Sequence, residues 1–198
     1  MRGGMLTKSG NTTNENKSED YGLNALFTAS GGSIATLHNT QFTSSGDGAN
    51  AVFATGKGTN ITADAFDIYT SGYSSSGFEV TQGGVIEASD GEITTKGTYS
   101  APLAVGSGGS SIQISETEIL ASGRRSPCIF SSGSMTASAL TGTASNSPIA
   151  VLDLSLIHIS KFWLLLNELH TRSARTQPPR RQPPAKAAPR LSFSIISY

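Results

Sequence analysis

The sequence predicts an all-β fold: a single-stranded, right-handed parallel β-helix of about 25 residues per rung, followed by a non-solenoid C-terminal tail. Three observations predict it. Gly46, Gly72, Gly97 and Gly123 each follow a Thr/Ser-rich stretch, at spacings of 26, 25 and 26 residues. A fixed period of this length marks a stacked repeat. The residue four places before each of these glycines is Phe42, Ile68, Ile93 or Ile119, so an apolar side chain recurs at one offset. The density of Gly, Ser and Thr between them disfavours helix.

Each rung reads as three short strands. The first carries Leu26-Phe27, Val52-Phe53, Phe78-Glu79-Val80, Leu103-Ala104-Val105, Ile129-Phe130 and Ile149-Ala150-Val151. A glycine-rich corner follows, as in Gly31-Gly32, Gly56-Lys57-Gly58 and Gly83-Gly84. Glycine there supplies the positive φ that sharp turns require. The second strand carries Ile34, Ile61, Val85-Ile86, Ile112-Gln113-Ile114 and Met135, and the third carries Phe42, Ile68, Ile93, Ile119 and Leu140. Alternation then sends Phe42, Ile68, Ile93 and Ile119 inward and their neighbours outward. Five or six rungs are expected. An antiparallel sandwich would not need one residue type at one offset in every repeat, whereas a parallel coil stacks those positions about 4.7–4.9 Å apart.

The 44–56 stretch, Thr-Ser-Gly-Asp-Gly-Ala-Asn-Ala-Val-Phe-Ala-Thr-Gly, resembles the repeats of adhesin-like parallel β-helix proteins of bacterial surfaces, within the pectate-lyase-like superfold. The resemblance covers residues 21–151. It implies a secreted, cell-surface structural repeat domain, a fragment of a larger protein, contacting glycans or host proteins. The alternative it implies is a fragment of a polysaccharide lyase or glycoside hydrolase.

Charge and composition split the chain. Lysines and arginines total 14, as do aspartates and glutamates, yet residues 161–198 hold seven of the basic residues and only one acid. Residues 1–160 are therefore acidic, which excludes nucleic acid as their partner because phosphate binding needs a basic footprint. All 22 glycines lie at or before Gly142. The single cysteine, Cys128, forbids an intrachain disulfide and reads as a core residue. No run of 18 apolar residues predicts a transmembrane helix. Met1 to Gly10 lacks the apolar run of a signal peptide.

The candidate chemistry is acidic. Gln41, Asp67, Glu92 and Glu118 stand five places before the repeat glycines, and Asn39, Ala65, Asp90 and Glu116 stand seven before. Both positions are expected to face outward on the third strand. Asp67, Glu92 and Glu118 then form a ladder of hard oxygen donors, a candidate calcium site. Paired carboxylates also serve acid–base catalysis on polysaccharides. No basic cluster accompanies them: His38, Lys96 and Arg124-Arg125 are scattered, so no catalytic residue is assigned and no other cofactor is expected. Tyr69, Tyr73 and Tyr99 share a neighbourhood in the repeat register, and aromatic rings there can stack on sugars.

The ends read differently. Residues 1–20 are polar and are expected to be disordered or a partial rung, and residues 21–153 form the β-helix. Leu154 to Ser160 (LSLIHIS) resembles one translated frame of a transposase end sequence used in sequencing libraries. That resemblance implies that residues 154–198 are adapter read-through, to be excluded from the fold. If they are native, Lys161 to Thr171 reads as a short amphipathic helix and Thr176 to Arg190 as a basic, proline-rich disordered linker.

Overall fold

The computed structural model describes residues 1–106 and 109–153, together with the backbone of 191–195. The readings for 154–190 and 196–198 lie outside the described residues. The chain is a parallel β-solenoid of about four turns. That is fewer than the five or six rungs expected from the sequence.

The strand order shows the coil directly. One sheet joins β1 (Arg2–Lys8), β3 (Ile34–Ser44), β5 (Asn60–Thr70), β7 (Val85–Thr95), β9 (Ser111–Ala121) and β11 (Ser134–Ala144), all parallel. Leu191–Ile195 (β13) adds an antiparallel strand to β11. A second parallel sheet joins β2 (Phe27–Ser30), β4 (Val52–Thr55), β6 (Phe78–Thr81), β8 (Leu103–Val105), β10 (Ile129–Ser131) and β12 (Ala150–Leu152).

The expected three strands per rung are two. The second and third strands are one 11-residue strand, bent at a single residue. Asn39, Ala65, Asp90, Glu116 and Ala139 occupy the bend, all with φ between 49 and 56°. The ladder pairs His38 with Asp64 and Thr40 with Phe66, and Asn39 and Ala65 between them are left unpaired. A left-handed residue turns two successive side chains outward and then restores alternation, so the ladder survives the corner. Only Asn39 and Asp90 are residue types that favour this conformation.

The inward set follows the predicted register. Phe42, Ile68, Ile93 and Ile119 pair in line and are essentially fully buried. Val52, Phe78, Leu103 and Ile129 form the matching stack from the short sheet. Each large aliphatic side chain so buried contributes about 1.5–3 kcal/mol. Size is balanced between levels: Phe66 lies over Gly91, where an added Cβ would meet its ring at 2.4 Å, and stacks edge-on against Phe78 at 4.9 Å.

The repeat glycines act by size, not by positive φ. Gly46, Gly72, Gly97 and Gly123 are absent from the positive-φ positions, but a Cβ on Gly97 would lie 1.7 Å from the Gly72 carbonyl oxygen. Bare backbones are stacked there at every level. Three residues further on, Ser75, Ser100 and Ser126 are buried in a hydrogen-bonded column. Ser100 Oγ accepts from the Ser75 N–H at 2.9 Å and donates to the Gly72 carbonyl at 3.0 Å. Ser126 Oγ repeats this, accepting from Ser100 N–H at 3.0 Å and donating to Gly97 at 2.8 Å. Ser100→Ala leaves the Ser75 N–H buried without that acceptor, so a loss of about 1–3 kcal/mol is expected. Urea denaturation checks it: the midpoint falls while the slope is unchanged.

The N-terminal segment is built onto the coil. β1 pairs in parallel with β3. A seven-residue helix, α1 (Glu15–Tyr21), then crosses the outer face of the short sheet. Asn14 caps it by accepting from the Lys17 N–H at 3.0 Å, and Gly22 ends it with φ 62°. Gly22 sits against the Phe53 ring, which explains why that outward-facing phenylalanine is fully buried.

Candidate functional site

Two surface features carry chemistry. The first is the acidic ladder. Gln41, Asp67, Glu92 and Glu118 pair in register and all are exposed. Asp90 and Glu116, at the bends of their rungs, line the same shallow depression as Glu92 and Glu118, and no Lys, Arg or His lines it. Like charges stacked at the rung spacing repel. Among the described residues, no three His, Cys, Asp or Glu side chains gather closely enough to hold a metal ion.

The scattered basic residues are placed elsewhere. His38 Nδ1 lies 2.9 Å from Asp64, whose other oxygen accepts from Ser89 Oγ at 3.0 Å. Lys96 lies over the Tyr69 ring at 5.1 Å and Arg125 over the Tyr99 ring at 5.4 Å. Cys128 is buried in the core, where desolvation lifts its thiol to about 11, leaving it unreactive at neutral pH.

The second feature is a groove of about 550 Å³ along the solenoid axis. Register builds both sides of it. On one side is the corner column two residues after the repeat glycines: Gly48, Ser74, Tyr99 and Arg125, each with φ between 48 and 65°. The left-handed backbone throws Tyr99 and Arg125 outward. Arg125 Nη1 donates to the Tyr99 hydroxyl. Tyr73, one residue before this column, meets Tyr99 edge-to-face at 5.5 Å. The other side is the outward row of the short sheet, Glu79, Ala104 and Phe130, paired in line. α1 closes one end. Ser74 Oγ donates to Glu19 at 2.7 Å, and Thr81 Oγ1 donates to the Asp20 carbonyl at 2.8 Å.

Glu79 is the anomaly of this groove. It occupies the row that holds Phe53 one rung below and Ala104 one rung above, and it is only 9% exposed. Burial pushes its carboxyl up to about 8, and the neighbouring Glu19 and Asp20 charges add to the rise. Ser76 and Asn50 act the other way without cancelling it. At neutral pH the side chain is therefore mainly a neutral acid that can donate a hydrogen bond. Asn50 Oδ1 accepts from the Ser76 N–H at 2.7 Å.

Tyr73 and Tyr99 meet as the repeat register predicts, whereas Glu79 and Arg125 are neighbours of theirs that the register does not point to. The one available signal is an acid in a row whose neighbouring rungs hold Phe53, Ala104 and Phe130. Tyr69 lies apart, under Lys96.

Fold and surface together define a parallel β-solenoid repeat protein. No protein-family model, curated protein or solved structure matches this chain.

Proposed function

We propose that this chain is an adhesin-like structural repeat domain of the cell surface, secreted as part of a larger protein, which contacts glycans or host proteins through its outer faces. The supporting observation is the division of labour within each rung. The interior is filled by stacked apolar side chains and a hydrogen-bonded serine column, and parallel ladders join the rungs along the rod. The outward positions are free of that duty and hold polar and charged groups in straight rows, as in Asp67, Glu92 and Glu118. Such rows are suited to extended ligands. Among the described residues, no helix is long and apolar enough to cross a membrane.

Antibodies raised against the folded chain test this reading. Labelling of intact cells of the source organism is expected, with signal lost after the cells are shaved by protease. Labelling that requires permeabilisation overturns it.

A second reading, a polysaccharide lyase or glycoside hydrolase of the solenoid type, is favoured by one observation. Glu79 is a carboxyl raised to about 8 with two further acids beside it, the kind of environment that holds a general acid ready. Release of reducing ends or unsaturated products from polysaccharide, abolished by Glu79→Gln, separates the enzyme from the adhesive rod.

A further inference from the structure

We propose that the groove between the Tyr99–Arg125 column and the Glu79–Ala104–Phe130 row is a binding site for a neutral saccharide chain lying along the solenoid axis, with Tyr73 and Tyr99 against sugar faces and Glu79, Arg125 and Glu19 bonding its hydroxyls.

Four features of the groove fix the ligand class. Tyr73 and Tyr99 keep 40% and 43% of their surface exposed although their rings touch, so each offers a free face or edge to a ligand. Rings so placed take the apolar faces of sugars, with their hydroxyls bound by planar polar groups at the rim. Arg125 and Glu19 are such groups, and each is already oriented by a partner, Tyr99 and Ser74 respectively. Orientation before binding reduces the entropy lost on binding.

The charge balance excludes an acidic ligand. Arg125 is the one cation lining the groove among the described residues, set against Glu19 and Asp20. A polyuronate or a phosphate would meet net repulsion. A neutral acid at Glu79 donates to a hydroxyl or ring oxygen, which suits an uncharged sugar.

The direction follows from the rungs. Both sides of the groove repeat at the rung spacing of about 4.8 Å, close to the length of one pyranose unit in an extended chain. A straight saccharide therefore meets an equivalent position at each rung, with α1 as the stop at one end. Ala104 and Phe130 leave an apolar floor beyond Glu79 on which a further ring can rest.

The ligand class rests on the adhesive reading, but the test does not depend on where the protein resides. Isothermal titration of the full 198-residue chain uses neutral hexasaccharides of β-1,4-linked glucose, xylose and mannose, with oligogalacturonate as the acidic probe. Saturable binding of at least one neutral chain, tighter than oligogalacturonate, is expected. Tyr99→Ala and Tyr73→Ala are each expected to weaken it by about tenfold while far-ultraviolet circular dichroism is unchanged.

The same titration at about pH 6 and about pH 9.5 brackets the Glu79 value of about 8. Affinity of the wild type falls at the higher pH as Glu79 loses its proton, and Glu79→Gln holds its affinity at both. No binding by any of the three neutral chains, preference for oligogalacturonate, or a pH profile that Glu79→Gln leaves unchanged overturns the proposal. Surface labelling with no saccharide binding retains the adhesive reading and sinks this site. Binding with no surface labelling does the reverse.

Discussion

Gly97→Ala is expected to lower the melting temperature by about 10 °C, a destabilisation of about 3–4 kcal/mol. The added methyl would sit 1.7 Å from the Gly72 carbonyl oxygen and 2.6 Å from both the Gly72 carbonyl carbon and Ser100 Oγ. Two of those atoms are backbone of the neighbouring rung, so no rotamer change relieves the contact. The rungs must separate locally, and separation breaks the Ser100 and Ser126 bonds to the glycine carbonyls. The defect thus costs both packing and buried hydrogen bonds, in a fold where each level leans on the next. Gly31→Ala is the control. Gly31 has φ 65° with nothing within 4 Å of an added Cβ, so it carries only the backbone cost, about 1 kcal/mol. Thermal melts of both variants check the claim. Equal shifts would mean that backbone conformation, not rung contact, selects glycine at the repeat positions.

Glu79→Gln is expected to stabilise the protein in alkaline solution, by about 3–5 kcal/mol near pH 9. The folded protein holds this carboxyl up to about 8, against an ordinary value of 4.5. Between those two values the folded state keeps a proton that the unfolded state has released. Stability from Glu79 is therefore fullest below about 4.5 and falls as pH rises toward about 8, after which the loss is complete. The slope is about 1.4 kcal/mol per pH unit at its steepest. Glutamine keeps the shape and the donor and removes the titration. The difference between the two proteins, measured by denaturant melts across this window, isolates Glu79 from the other carboxylates. A difference that does not change with pH would place Glu79 in contact with water. Since Glu19 and Asp20 of α1 supply part of the rise, the same loss of a proton is expected to loosen that helix first.

The sequence made the coil legible for a simple reason. Within one rung, alternation decides which side chains point inward, and a fixed period then stacks them. Phe42, Ile68, Ile93 and Ile119 needed nothing beyond offset and apolarity to be placed on one line. The acidic row Asp67, Glu92 and Glu118 was likewise legible, because an outward neighbour of a stacked residue must itself stack. Two local features were not legible in the sequence. The left-handed residue at the bend let one 11-residue strand pass for two, since Ala65, Glu116 and Ala139 carry no sign of that conformation. The repeat glycines mark the period, but the reason glycine stands there, contact between rungs, is not written in it.

The sequence by itself determined the repeat length, the inward set, the register of the outward rows and the acidic character of the solenoid. Only the tertiary structure decided that α1 lies across the short sheet, that Glu79 is buried beneath its acidic end, and that Arg125 meets Tyr99 at the rim of a groove. Ser74 and Glu19 are 55 residues apart in the chain, and Thr81 and Asp20 are 61 apart. No periodicity links such pairs. Their meeting depends on where a seven-residue helix of modest propensity finds apolar surface to cover, and Phe53 supplies that surface.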